Sequence, residues 1–243
     1  MLAPHHQPTV PILPRWFTNL GLGLLNSGIV SLACAACFRL STSRPLPLTV
    51  FSFPALPTIL RILVELVLLD FIIYLLHRAY HRVPFLWRLH AVHHTDPDLD
   101  VSSASRFHPG EVMLSASIKV AAVFILGISP VGLVVFEAVM LACAQFQHAN
   151  LSLPSALERW LWHTFVPPEM HRIHHTPKDE DTNSNYGTIF TLWDRLFGTL
   201  NARRRFPSEP FGVTELSASS EGLPRLLVLP FRLQLSDKPK TSA

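Results

Sequence analysis

Four apolar runs punctuate the chain, most of them separated by proline. Trp16 to Phe38 carries no formal charge over 23 residues. A helix of that length crosses a hydrocarbon core of about 30 Å at about 1.5 Å per residue. Asn19, Asn26 and the small residues Gly21, Gly23 and Gly28 suit packing on neighbouring helices. Pro45, Pro47, Pro54 and Pro57 forbid one long helix over 41–57, which reads as a loop or short interfacial turns. Thr58 to Leu76 is the second span, with Arg61 and Glu65 at i, i+4 paired near the membrane boundary. The same helix is expected to run on to about Arg82 and to end at Val83-Pro84. Val112–Ile128 and Val131–Phe146 flank Ser129-Pro130 and are short for spans. They predict a hairpin that enters and leaves the membrane on one side. From Asn150 the chain turns polar. Leu157–Phe165 predicts a short amphipathic helix, 183–206 is mixed, and the closing LSDKPKTSA reads as a solvated tail.

Composition sharpens this picture. Of 243 residues, 49% are hydrophobic and 15% charged, against roughly a quarter charged in soluble domains. The expected fold is all-α: an integral membrane bundle of about four transmembrane helices. The expected division is an N-terminal tail over 1–15, one membrane domain over 16–212, and an extension over 213–243. The net charge of +3 is spread among apolar runs, which excludes a nucleic-acid-binding surface. Arg78, Arg82 and Arg88 mark the end of the second span as cytoplasmic, with Arg39 and Arg44 as opposing charges. The start, MLAPHHQPTVPILPRW, lacks a charged segment followed by an apolar core, so no cleavable secretory signal is expected. His5 and His6 then fall in a disordered tail. Cys34, Cys37 and Cys143 make no disulfide framework. The CxxC of the first two lies in an apolar run and reads as buried thiols.

Histidines carry the candidate chemistry. Five fall between 77 and 94: His77, His81, His90, His93 and His94. His171, His174 and His175 repeat the i, i+3, i+4 spacing of His90, His93 and His94. On a helix such positions share a face, so each group is expected to present its rings as one patch. Imidazole suits iron, copper, zinc and nickel, and eight clustered rings exceed what one ion can use. The reading is a dinuclear, histidine-rich centre in a helical cap beside the membrane. Asp70, two helical turns before His77, is expected to orient a ligand histidine, since an ionisable group at that depth is functional by default.

The run DFIIYLLHRAYH at 70–81, followed by PFLWRLHAVHHTD, RFHPGE, FQHANL, MHRIHHT, NYG and WDRLFGT, resembles the fatty acid hydroxylase superfamily. Within it the chain is most similar to the bacterial members called sterol desaturase family proteins. The likeness extends over roughly residues 15–212. It implies an enzyme of the bacterial inner membrane with its metal centre facing the cytoplasm. It also implies two iron ions, with zinc as a substitute on purification, and O2 as co-substrate for hydroxylating or desaturating a sterol or fatty-acyl lipid. Electrons would come from a separate donor protein. The ligands it implies are His77, His81, His90, His93, His94, His171, His174 and His175, with His148 of FQHAN as a ninth. Relatives with HxxxH at the last position have a partner that here falls on Ala144. One site is then open or water-filled, or another histidine substitutes, with His108 the candidate. Neutral ligands leave the ions' charge uncompensated, which favours an oxidising, Lewis-acidic centre. Asp70, Glu111 or Asp181 could offset it from outside the ligand ring. Asn150, Asn185 and Tyr186 are candidates to order water or a lipid head group.

Competing readings are a zinc-dependent membrane hydrolase using the same histidines and a non-catalytic metal-binding or transport protein. HPGE at 108–111 looks superficially like a haem-binding HPGG but opens an apolar run. His163, alone on a predicted amphipathic helix, reads as a packed or surface residue.

Overall fold

A computed structural model of the chain describes residues 4–43, 56–203, 205, 208–213 and 222–233. Among the described residues the fold is all-helical, with a single isolated bridge between Phe165 and Phe190. The first five helices are α1 (Ile12–Ser43), α2 (Thr58–Arg82), the short α3 (Pro84–His90), α4 (Pro109–Leu126) and α5 (Pro130–His148). Short helices follow: α6 (Ser155–Leu161), α7 (Pro168–His174), α8 (Asp179–Thr182), α9 (Leu192–Leu196) and α10 (Leu223–Arg232).

Proline writes most of the boundaries. Val83 in an extended conformation stops α2, and Pro84 opens α3 from the first turn, where its missing N–H costs nothing. Pro109 and Pro130 open α4 and α5 in the same way. Between those two helices, Gly127 takes a left-handed φ of 72° that ends α4. The buried carboxylate of Glu65 on α2 then accepts from Ser129 N at 2.9 Å and Ser129 Oγ at 2.7 Å. A Cβ at Gly132 would lie 1.8 Å from Glu65 Oε2, so only glycine lets α2 approach the turn. Arg61 does pair with Glu65 as expected, at 3.8 Å. Lower in the hairpin, Lys119 of α4 and Glu137 of α5 form an ion pair.

Among the described residues, three helices are long and apolar enough to cross a membrane: Ile12–Arg39, α4 and α5. Large side chains on them face outward, among them Phe17, Leu24, Leu32, Met113 and Val131. Apolar surface of that extent needs a partner, and hydrocarbon is the natural one. Helix α2 has comparable length but carries Arg61, Glu65 and Asp70. Both ends of the α4–α5 hairpin return to the histidine end of α2.

Two expectations need correction. The prolines predict a loop or short interfacial turns over 41–57, yet α1 continues to Ser43; residues 44–55 lie outside those described. His5 and His6 are not a disordered tail. Their backbone N–H groups donate to Asn150 Oδ1 at 2.9 and 3.0 Å, and Asn150 Nδ2 returns a bond to His6 O. Thr9 and Val10 then donate to Asp98. The expected solvated end, 235–243, falls outside the described residues.

Candidate metal centre

Each helix delivers its histidines from an end or from its last two turns. His77 and His81 occupy the last two turns of α2, one turn apart. The turn at Val83-Pro84 folds α3 back so that His90, its last residue, meets them. Ala91 and Val92 keep right-handed helical backbone angles as a turn, and the chain then tightens into a 3-10 turn over His93–Thr95. His148 closes α5, His171 and His174 lie on α7, and His175 caps it.

Nine rings converge into two abutting cages. His77, His81, His90, His94 and His174 form one, and His93, His148, His171 and His175 the other; within each, the candidate ligand atoms all lie within 4.8 Å of one another. His94 and His175 stack across the boundary with centroids 4.4 Å apart. The expectation of one patch per histidine group is therefore corrected. His93 parts from His90 and His94, and His174 parts from His171 and His175. Adjacent residues on α-helical or 3-10 backbone point about 100–120° apart, so His93 and His94, like His174 and His175, face different cages and both cages draw on both triads.

Outer hydrogen bonds orient part of the set. The Nδ1–H of His77 donates to Tyr186 O at 2.9 Å, that of His174 to Ser184 O at 2.7 Å, and that of His90 to Glu111 Oε1 at 2.7 Å. Each leaves Nε2 with its lone pair pointing inward. Between the two carbonyls sits Asn185, at a left-handed φ of 55°. Its amide bonds Met170 O at 3.1 Å and Asn201 O at 3.0 Å and accepts from Asn201 N at 2.8 Å. Asp194 accepts from Tyr186 N and Gly187 N. The loop carrying the second triad is pinned by Arg106, which donates to Val92 O, to Thr95 Oγ1 and to Asn19 Oδ1 on α1. Gly212 N and Val213 N tie it to the third by donating to His175 O and His94 O. Phe107 stacks on His93 at 4.2 Å, and Trp87 packs against His81 and His94.

These rings fit metal ions on their own chemistry. Nε2 of His77, His81, His90, His94 and His174 is buried yet meets no acceptor or donor, a costly condition for so many polar atoms unless a cation satisfies them. In the second cage His171 Nε2 lies 2.9 Å from His148 Nε2 and 3.1 Å from His175 Nε2. Nitrogens about 2.1 Å from a common ion and at right angles stand about 3.0 Å apart. A proton can bridge one such contact, whereas one cation satisfies all three lone pairs. Burial, reinforced by neighbouring rings, holds His90, His93, His94, His171 and His175 well below the ordinary imidazole pKa, and burial with His77 does the same to His174. They are thereby kept neutral and able to ligate.

The family model for fatty acid hydroxylase matches residues 62–199, more than half of the chain and the region that carries all nine rings. The chain belongs to the fatty acid hydroxylase family. The ornithine lipid hydroxylase OlsE of Rhizobium tropici is 28% identical over 209 residues, covering 82% of this chain and 61% of that protein. Alkylglycerol monooxygenase of Caenorhabditis elegans is 28% identical over 160 residues, 59% of this chain and 28% of that protein. Human cholesterol 25-hydroxylase is 28% identical over 142 residues, 57% of this chain and 50% of that protein. The chain thus spans less than two thirds of the length of each of these relatives. No solved structure matches it.

Several residues singled out in the sequence do other work. Asp70 does not reach a histidine; it accepts from Ile189 N, Phe190 N and Trp193 Nε1. Two helical turns separate its carboxylate from His77, too far for a direct bond, so it anchors the loop whose Tyr186 carbonyl holds that ring. His108 stands apart from both cages. Its Nδ1 accepts from Gly110 N as the cap of α4, so its Nε2–H faces Leu227 O at 3.2 Å. Asn150 holds the N-terminal segment, away from the rings. Asp181 pairs with Arg203 and Thr176, whereas Glu111 touches His90 directly. Tyr186 packs edge-on to His77 and His174 and tilted against His81. His163 is exposed. Arg106, Asp194 and Trp87 carry no metal-ligand signal of their own in the sequence, although they stand inside the motifs RFHPGE, WDRLFGT and PFLWRLH.

Proposed function

We propose that the protein is a membrane-bound, di-iron, O2-dependent oxidoreductase that hydroxylates or desaturates a lipid of the sterol or fatty-acyl type. The observation that carries this is the pair of abutting cages built only of neutral imidazoles. The nine histidines of the two cages would hold the two ions; His108 and His163 are left out. Bound iron would supply oxidation of an unactivated C–H bond by O2, with electrons from a separate donor protein. The chain's own residues do the rest. Burial withholds protons from the rings. Tyr186, Ser184 and Glu111 set the tautomers of three of them, and Trp87, Phe107 and Tyr186 keep water from the ring edges. The outward apolar faces of α1, α4 and α5 would put a lipid substrate within reach of the cages. Arg78, Arg82 and Arg88 at the histidine end favour the cytoplasmic side of a bacterial inner membrane.

The test uses the full chain in lipid nanodiscs, loaded with Fe(II) and supplied with a chemical or protein reductant, bacterial lipid extract and 18O2. The expected result is two irons per chain and O2-dependent lipid oxidation, with hydroxylated products carrying 18O. Two bound irons with no lipid oxidised, or turnover that persists without O2 and reductant, would overturn it; the second outcome would favour the zinc hydrolase.

A further inference from the structure

We propose that the two cages hold their ions unequally: the five-histidine cage keeps a firmly bound ion, and the four-histidine cage an exchangeable one that loads second and leaves first. This rests on the dinuclear reading above. In the five-histidine cage, three outer nitrogens are fixed by Tyr186 O, Ser184 O and Glu111 Oε1 at 2.7–2.9 Å. Two of those acceptors belong to the turn held by Asn185 and Asp194, so they are themselves fixed. His81 of that cage has both nitrogens unpartnered, and in the four-histidine cage none of the rings has an anchor of this kind. Nδ1 of His93, His148, His171 and His175 is buried in every case, and none meets an acceptor.

The difference has a direct consequence for metal binding. A ring whose outer N–H is bonded keeps its tautomer and orientation when the ion leaves, so the ligand set waits preformed. A ring without that bond can turn, or carry its proton on either nitrogen, and must reorganise each time an ion returns. The close Nε2 contacts among His148, His171 and His175 deepen the contrast. Without a cation, three lone pairs cannot all stay that close, and nothing outside holds the rings in place. Loss of one outer partner commonly lowers metal affinity 10–100-fold, and here three anchors separate the cages. Five ligands against four act in the same direction.

The experiment follows metal release from the full chain in nanodiscs, loaded anaerobically with Fe(II) and challenged with excess coloured chelator. Two phases of one ion each are expected, their rates at least about tenfold apart. His148→Ala should abolish the fast phase and leave one ion. Glu111→Leu, which strips His90 of its acceptor, should quicken the slow phase about tenfold or more and leave the fast one unchanged. Glu111→Gln, which keeps an acceptor oxygen, should restore most of the slow rate. Both ions leaving in one phase, or Glu111→Leu altering only the fast phase, overturns the inference while the dinuclear centre stands. Fewer than two ions bound by the unmutated chain refutes the dinuclear reading itself. Should Glu111→Leu fail to fold, release from the unmutated chain and from His148→Ala still decides.

Discussion

At the scale of single residues, the centre depends on side chains that never touch an ion. Asn185 occupies a left-handed conformation that costs most residues about 1–2 kcal/mol, and its amide makes three bonds that hold the carbonyls facing His77 and His174. Asn185→Ala should lower the melting temperature and reduce iron binding toward one equivalent. Asn185→Gly should recover the backbone share of the stability but not the metal. A melting curve and iron assay of the alanine variant matching the unmutated protein would sink this account. The histidines predict a pH effect of definite sign. In the unfolded chain they take up protons near pH 6.5, while in the folded chain burial keeps six of them neutral to much lower pH. The unfolded state therefore binds more protons in that window, so stability rises with pH through it and is lost as pH falls below about 6.5. Denaturation of the metal-free chain at pH 5.0 and 7.5 should show a clearly lower midpoint at the acid value; equal midpoints would contradict it.

At the scale of helices, the α4–α5 hairpin sets where Glu111 and His148 arrive. Its turn is held to α2 by Glu65 and Ser129, and its stems by Lys119 and Glu137. An ion pair buried among apolar helices offsets two desolvation costs, and removing one partner strands the other charge. Lys119→Leu should destabilise the bundle by about 3–5 kcal/mol, while the double change Lys119→Leu, Glu137→Leu should be near neutral or stabilising. Thermal unfolding in one detergent compares them; a double variant weaker than the single would show that the pair does more than lock the stems.

At the scale of the whole molecule, the ions are the natural cross-link between segments far apart in the chain, α2, α5 and α7. Removing them by chelation should lower the melting temperature and restoring Fe(II) should raise it, by about 4 kcal/mol per site at a thousandfold excess over the dissociation constant. No shift on metal addition would mean that the cages form without needing an ion. Much of this architecture was legible in the sequence. Proline and apolar length announce α1, α4 and α5, because helix breaking and hydrocarbon thickness are local constraints. Histidine spacing announces a polynuclear centre, because so many imidazoles have no other common use. The division of those rings was hidden, since it depends on how α2, α3, α5 and α7 pack and on which carbonyls face each ring. Asp70 was misplaced for the same reason: sequence distance puts it on the face of His77, but only the packed loop at 189–193 shows where its hydrogen bonds go. Periodicity and composition determine which elements form and what chemistry they carry. Tertiary packing alone decides which nitrogen meets which partner, because a hydrogen bond is fixed within tenths of an ångström and the pattern of residues along a chain is not.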